Sequence, residues 1–425
     1  MNPAVDRHPL VDSPQELNRS GGAIGAQRGV NSSDKAFRQF RVLLWTKYFG
    51  SDDWSHLDLK TLNCNFSNCL LTEDKSQLDS VDAVFFHWRD TSPWDLPQKH
   101  IPGQKWIIYN WEPPVNTLEF KGRAIADQID WVMSYRKDSD IYVPYGSVIP
   151  CDNKWQNEDL FDGKTRSVAW IVSNCHSDGN REEYVRELAK FIDVDIYGRC
   201  GHYECPRDDS CLKMITKKYK FYLSFENSLC KDYVTEKLFR IAEYDIIPVV
   251  YGSANYSQIM PKNSYINTAD FGSPQELANH LKEISSDKQK YNSYMNWKNN
   301  YCSKMTHYKY FCNVCHKLNV NSKLKTNKHW NKEDLINWFY RDANCLHPTY
   351  DLKSCLQYNH CIATDVNPIA INTAPNKARS SGALFPNQCL SPENWQPSAP
   401  VGGDLSVSVT THQVLIQSNP WQEYS

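Results

Sequence analysis

Between Phe40 and Ile266 the chain alternates short apolar runs with longer stretches of helical character, and that rhythm leaves few architectures open. Candidate strands in a first half are Phe40–Trp45, Ala83–His87, Lys105–Tyr109 and Ile129–Ser134. A second half offers Val168–Val172, Val194–Tyr197, Phe221–Phe225, Ile246–Tyr251 and Ser264–Ile266. Parallel strands need a helix-length crossover and are buried on both faces, so apolar runs separated by helical segments predict an α/β chain with parallel sheets. The segments Arg181–Phe191 and Thr235–Glu243 read as helices. Ser273, Pro274, Gln275 and Glu276 open another, with Ser at the N-cap, Pro at the first position and Glu at the third. The polar, non-periodic stretch Val148–Arg166 divides the halves. Two Rossmann-like halves then face a cleft at the carboxyl ends of their strands, where ligands bind in such folds.

The expected organisation is a disordered segment 1–36, a first Rossmann-like domain 37–155 and a second 156–318. An extension 319–361 and a disordered tail 362–425, rich in Asn, Pro, Ser, Thr and Ala, follow. A length of 425 residues suits several cores and is too much for a lone binding module. Lysine and arginine number 47 against 49 acidic residues, which removes the basic footprint of a nucleic-acid binder. Mean hydropathy of −0.63 argues against a polytopic membrane protein, and the most apolar stretches are strand-sized, far short of a span. Fifteen cysteines favour an oxidising compartment. Sequons at Asn18, Asn31, Asn65 and Asn255 are compatible with secretory passage. Met1 to Asp34 nevertheless holds neither an apolar h-region nor a signal anchor. Either the true start lies upstream, or the chain enters the pathway by another route.

Chemistry concentrates in three places. In KFYLSFENSLCKDYVTEKLF, Lys220 to Phe239, a buried strand ends at Phe225 and Thr235 can cap the next helix. Lys237 in that first turn opposes the helix dipole. A bound diphosphate would explain it, because free N–H groups and a lysine make an anion site; taken alone it also reads as a solvated surface lysine. Asn174 follows the strand Val168–Val172, and Arg181 lies at the next helix start, where a guanidinium can clasp phosphates. An exposed helix-start arginine is the plainer alternative. Glu112, between Trp111 and Pro113 at a strand end, is a partly desolvated carboxylate whose basicity burial would raise. A loop glutamate making one hydrogen bond has the same sequence. Cys312, Asn313, Val314, Cys315 and His316 match C-x-x-C-H, yet no second C-x-x-C completes a zinc set, and paired disulfides fit better than haem.

Together these segments resemble the GDP-fucose-dependent α1,3-fucosyltransferases, from about Phe40 to Cys315. The resemblance rests on FHWRD (Phe86–Asp90), WEPP (Trp111–Pro114), SYRKDSDIYVPYG (Ser134–Gly146), VSN (Val172–Asn174) and the segment Phe221–Phe239. It implies a GT-B fold with the acceptor domain first and the nucleotide-sugar domain second. By resemblance, Glu112 is the base that takes the acceptor proton, and Arg181 and Lys237 hold the diphosphate. Asn174, Asn227, Tyr233 and Glu236 complete the donor site, and His87, Trp88, Arg89 and Asp90 belong to the acceptor region. The implied reaction is inverting transfer of L-fucose from GDP-β-L-fucose to the 3-hydroxyl of GlcNAc. A departing diphosphate needs no proton, so no metal is strictly required, and Mn2+ or Mg2+ would act only as stimulants.

The run YGRCG (Tyr197–Gly201) with Cys205, Arg207 and Cys211 resembles invertebrate enzymes that fucosylate the asparagine-linked GlcNAc of N-glycans. Lewis-type enzymes of the family usually carry a second His where Trp88 stands. The family's Glu-Ser-Pro has Pro113 in place of Ser. The resemblance further implies that Cys312 and Cys315 pair with Cys64 and Cys69, with Cys200, Cys205, Cys211 and Cys230 supplying one or two more bridges of unassigned connectivity. Partners are then GDP-fucose and an N-glycan or glycoprotein acceptor, in the Golgi lumen, with no nucleic acid and with membrane contact only through an anchor that this sequence does not contain.

Overall fold

The computed structural model describes residues 38–50, 59, 60, 62, 64–152, 159–206, 209–306, 310–321 and 330–348. The expected tail 362–425, the whole segment 1–36 with its sequons Asn18 and Asn31, and Arg207 lie outside the described residues. Asn65 and Asn255 are exposed.

The first sheet holds β1 (Phe40–Leu44), β2 (Cys69–Thr72), β3 (Ala83–His87), β4 (Lys105–Asn110), β5 (Trp131–Ser134) and β6 (Ile141–Tyr142). All its pairings are parallel, in the order β2-β1-β3-β4-β5-β6. A strand β7 (Gly146–Pro150) leads towards the second sheet. That sheet comprises β8 (Arg166–Ile171), β9 (Val194–Tyr197), β10 (Tyr219–Phe225), β11 (Ile247–Tyr251) and β12 (Ile266–Asn267), again parallel, in the order β12-β11-β10-β8-β9. Finally β13 (Tyr301–Met305) pairs antiparallel with β7. The two parallel α/β layers expected from the sequence are both present.

Alternate strand residues explain how each sheet is covered. In the second, Val168 and Trp170 with Phe221, Leu223 and Phe225 face helices α2 (Arg181–Leu188) and α5 (Pro274–Ser286). Ala169 and Tyr222 face the other way, against Leu212 and Ile215 of α3 (Asp209–Lys218). Ser273 caps α5 by accepting from Glu276 N at 3.2 Å. The reciprocal bond differs from a simple capping box: Glu276 reaches back to Gly272 N, at 2.9 Å.

The first sheet is covered by chain that comes back from the C-terminal end. Val42, Phe85, Ile107 and Met133 pack on Tyr310, Phe311, Val314 and Leu318 of α7 (Tyr310–Asn321). Val84, Phe86, Trp106 and Ile108 pack instead on α8 (Lys332–Ile336) and the following turn, through Leu335, Trp338 and Phe339. Helix α7, which a boundary at 318 would leave with the second half, therefore covers a face of the first.

Disulfides fasten this return. Cys312 and Cys315, one helical turn apart on α7, bond to Cys64 and Cys69, so neither thiolate is available to a haem or a metal. Further bridges join Cys151–Cys302, Cys175–Cys200, Cys205–Cys211 and Cys230–Cys345. The other three cysteines, Cys355, Cys361 and Cys389, lie outside the described residues. Among the described residues no helix is long and apolar enough to cross a membrane.

The Cys64–Cys312 link closes a sequence separation of 248 residues; a loop that long removes about 5 kcal/mol of unfolded-chain entropy in the chain-entropy model. Replacing Cys312 and Cys315 together by Ser is expected to lower stability by about 2–5 kcal/mol, seen as a fall in Tm by scanning calorimetry; an unchanged Tm would contradict the fastening. Gly122 lies under the indole of Trp88, where an added Cβ would sit 2.0 Å from the ring. Gly122→Ala should cost about 1–3 kcal/mol through overpacking, measured by urea unfolding.

Candidate active site

In each sheet the strand order reverses once, between β1 and β3 in the first and between β8 and β10 in the second. Such switch points leave a crevice at the carboxyl ends of the strands. Apart from Trp88, the residues singled out in the sequence lie near these two crevices.

At the first, His87 ends β3. Its N–H donates to Thr46 Oγ1, beyond β1, at 2.7 Å, and its Nδ1 lies 2.6 Å from Asp90 Oδ2. Burial holds His87 below the usual histidine value despite that carboxylate. Burial alone would raise Asp90; the hydrogen bonds from His87 and from Phe49 N outweigh it and hold Asp90 below the carboxylate norm. A neutral His87 therefore donates from Nδ1 to an ionised Asp90. This pair stiffens the turn that presents Arg89.

Trp88 takes a different position from the one its place in the acceptor motif implied. It is fully buried, stacked on Phe339 at 4.5 Å, and faces no solvent. The short 3-10 turn Trp88–Asp90 swings Arg89 and Asp90 towards the crevice and drives Trp88 into the core. Whatever a residue at 88 does for acceptor choice, it does through packing.

Glu112 follows β4 and is mostly buried, with its side chain 16% exposed. Its N–H donates to Asn110 Oδ1, while Oε2 lies 3.4 Å from Asn116 Nδ2 and 3.7 Å from the guanidinium of Arg89. The partial desolvation expected from the sequence is present, and the opposite charge on Arg89 is an addition to it. Pro113 is buried and starts the turn Pro114–Asn116, its carbonyl accepting from Asn116 N and Thr117 Oγ1. Trp111, on the other side of Glu112, donates Nε1–H to Val143 O at 2.6 Å and stacks on Tyr145 at 4.5 Å.

At the second crevice, Arg181 is 2% exposed. Its guanidinium donates to Phe225 O at 2.8 Å and to Asn174 O at 3.4 Å, tying the loop after β8 to the end of β10. The helix start is sharp because Asn180 adopts a left-handed φ of 50°, which Asn tolerates. Arg199, which the sequence reading passed over, holds the same loop from the other side: its Nε and Nη2 donate to Ser173 O at 2.9 and 2.6 Å. Asn227, just past β10, is buried, and its carbonyl accepts from Gly179 N at 2.8 Å.

Thr235 caps the short helix α4 (Glu236–Phe239). The Lys237 ammonium lies 3.0 Å from Glu236 Oε1, 3.2 Å from Thr235 Oγ1 and 3.7 Å from Glu226 Oε2. Lys237 is therefore no solvated surface cation. Glu226 is the major residue that sequence reasoning missed. It is fully buried and accepts from Thr235 N at 2.7 Å and Thr235 Oγ1 at 2.8 Å. Burial pushes its carboxyl up to about 7, Lys237 pulling the other way. The available signal was an acid placed directly after the apolar run Phe221–Phe225.

The two crevices are joined by aromatic rings. Tyr145 donates to Trp111 O at 2.8 Å and meets Tyr233 edge-on at 6.2 Å, and Tyr233 meets Tyr135 edge-on at 5.0 Å. Burial raises the Tyr145 phenol well above its usual value, with Tyr233, Glu112 and Glu236 adding to the effect. Tyr145 thus feels a carboxylate from each side. Tyr233 serves this bridge, with 2% of its surface exposed. Among the described residues no three His, Cys, Asp or Glu side chains converge as a metal set. The arrangement offers a carboxylate for a proton on one side, and cations for a leaving anion on the other.

That is the division of labour of a nucleotide-sugar transferase, and sequence comparison gives the family. The family model "Fucosyltransferase, N-terminal" matches residues 38–146, and "Glycosyltransferase family 10 (fucosyltransferase) C-term" matches residues 161–335. Alpha-(1,3)-fucosyltransferase C of Drosophila melanogaster is 36% identical over 65% of this chain and 72% of its own length. Glycoprotein 3-alpha-L-fucosyltransferase A of the same organism is 35% identical over 66% of this chain and 56% of its own. Human 4-galactosyl-N-acetylglucosaminide 3-alpha-L-fucosyltransferase 9 is 38% identical over 62% of this chain and 73% of its own. The chain belongs to glycosyltransferase family 10, the fucosyltransferases.

Glu226 also sets a pH signature. Its folded value of about 7 lies above the ordinary 4.5, so the native state holds the proton more tightly than the unfolded chain. Its contribution favours the fold below pH 4.5 and is lost as pH rises from there to about 7, by ~3 kcal/mol at 1.36 kcal/mol per unit. Glu226→Gln should remove that slope: the difference in unfolding free energy between wild type and variant should change between pH 5 and pH 8. A constant difference would place the carboxyl in its ordinary range.

Proposed function

We propose that this chain transfers L-fucose from GDP-β-L-fucose, with inversion, to the 3-hydroxyl of a GlcNAc acceptor, and that the acceptor is the core GlcNAc of an N-glycan. The observation that carries the reading is the placement of Glu112 beside the bridge Trp111–Tyr145–Tyr233, whose far end leads into the segment of Lys237. The Glu112 carboxylate takes the proton from the acceptor hydroxyl as its oxygen attacks the anomeric carbon. The bond from that carbon to the β-phosphate oxygen breaks, and GDP leaves with both electrons. Arg181 and Lys237 neutralise the departing diphosphate, and such preorganised charge is worth most where water is excluded. Asn174, Asn227, Tyr233 and Glu236 complete the donor side, and Arg89 orients Glu112 from 3.7 Å. No second acid is needed, because a diphosphate is a weakly basic leaving group, whereas the strongly basic alkoxide in a glycosidase must be protonated as it departs.

The name of the fly glycoprotein fucosyltransferase supports a glycoprotein acceptor. A second reading, transfer to the GlcNAc of an antennal lactosamine, draws support from the human relative named for a 4-galactosyl-N-acetylglucosaminide. The six disulfides among the described residues suit work in an oxidising compartment, and we place the enzyme in the Golgi lumen.

Glu112→Gln should lower kcat by about 10²–10⁴, the usual worth of a general base, while GDP affinity stays within about twofold by calorimetry. Comparable loss of both would move Glu112 to the donor site. Lys237→Ala should weaken GDP binding by about ten- to a hundredfold, the worth of a hydrogen bond to a charged group. Unchanged affinity would remove Lys237 from the diphosphate.

A further inference from the structure

Glu226 is a buried carboxyl for which the transfer chemistry has no use. It stands one residue beyond β10, with 0% of its surface exposed, and both of its oxygens are taken by Thr235. The hydroxyl of Thr235 has a single proton, and Glu226 receives it. The oxygen's lone pairs are thereby left to Lys237, whose backbone N lies 3.4 Å and whose Nζ lies 3.2 Å away. The carboxyl of Glu226 thus dictates which way the Thr235 hydroxyl points, and the hydroxyl positions the ammonium.

The charges in this pocket are unbalanced for an anion. One ammonium serves two carboxylates, Glu236 at 3.0 Å and Glu226 at 3.7 Å. A diphosphate arriving at Lys237 adds negative charge to a dry site, and like charges close together raise the affinity of one of them for a proton. Glu226 is the carboxylate to yield, because it is wholly buried whereas Glu236 keeps 12% of its side chain exposed and holds the shorter ion pair. The other titratable or charged groups facing it come from two further elements. Tyr256, from the turn after β11, has a phenol raised well above its usual value by burial and by Glu226. Arg181, from α2, binds the carbonyl of the preceding Phe225. The Tyr256 phenol, so raised, holds its proton across neutral pH.

We propose that Glu226 is a positioning residue of the donor site, holding Thr235 and through it the Lys237 ammonium, and that it takes up a proton when a nucleoside diphosphate sugar binds. Burial has already brought its carboxyl to about 7, so the proton is available near neutrality. Donor affinity then rises as pH falls through that value. The proposal rests on the reading of Lys237 as a diphosphate ligand.

The test is calorimetric titration of the full chain with GDP-fucose, without acceptor, at pH 7 in buffers of different ionisation enthalpy, and then across pH 5.5 to 8.5. The diphosphate of this donor is esterified at both ends and does not titrate in that range, so any proton taken up belongs to the protein. Wild type should take up a fraction of a proton at pH 7 and lose about fivefold in affinity between pH 6 and pH 8, as a rise of one pKa unit from about 7 gives over that range. Glu226→Gln, which keeps the shape and fixes the neutral form, should abolish the uptake and flatten the profile. Absence of proton uptake by wild type would overturn the proposal without recourse to any variant. If Lys237→Ala weakens binding but Glu226→Gln keeps the wild-type slope, the proposal fails and the reading of Lys237 stands. If Lys237→Ala binds as wild type does, that reading fails and the proposal falls with it.

Discussion

The site depends on a run of stacked rings. Trp111 precedes Glu112 in the chain, Tyr233 precedes the Thr235–Lys237 segment, and Tyr145 lies between them, bonded to the carbonyl of the first and edge-on to the ring of the second. Trp111 is fixed again by its indole bond to Val143 O. Aromatic pairs in such geometry contribute about 0.5–1.5 kcal/mol each beyond the area they bury, and they carry direction that aliphatic packing lacks. A carboxylate on one sheet and an ammonium on another keep a fixed relation only if something stiff connects them. The bridge supplies this, and catalysis by positioning demands it, since small displacements cost much rate.

The rest of the chain works to hold that frame. Helices α7 and α8 return from the C-terminal end to close both faces of the first sheet, and β13 pairs with β7 where the chain passes between the sheets. The segment 343–348 then runs to the second crevice. Lys231 N donates to Ala343 O at 2.7 Å, Leu346 N to Leu229 O at 2.9 Å, and Asn180 Nδ2 to Pro348 O at 3.2 Å. With Cys230–Cys345, these bonds fix the loop after β10 and the residue before Arg181. Backbone that surrounds a charged ligand must be held from outside, because its own turns carry few apolar contacts.

Much of this was legible in the sequence. The strands buried on both faces are continuous apolar runs, and β3 and β9 have the bounds expected for them. The strands that escaped lie at edges or carry polar residues. Tyr301–Met305 reads YCSKM, and Cys69–Thr72 and Ile141–Tyr142 are short edge strands. Nothing local marks such segments, since their partners define them. Glu112, Arg181 and Lys237 stood out as candidates because each sits at a strand end or helix start, where position implies a task. Trp88 misled because sequence order cannot tell which way a 3-10 turn rotates a side chain. Glu226 and Arg199 were missed because their partners, Thr235 and Ser173, are brought to them only by the fold.

The central claim is that the Glu112 carboxylate and the Arg181 and Lys237 cations together move fucose onto the innermost sugar of an N-glycan. The most direct measurement is incubation of the chain with GDP-fucose and a defined N-glycopeptide, with the product linkage read by mass spectrometry and glycosidase digestion. The account predicts fucose on the 3-hydroxyl of the asparagine-linked GlcNAc. Fucose found only on an antennal GlcNAc, or donor bound and never transferred, would contradict it.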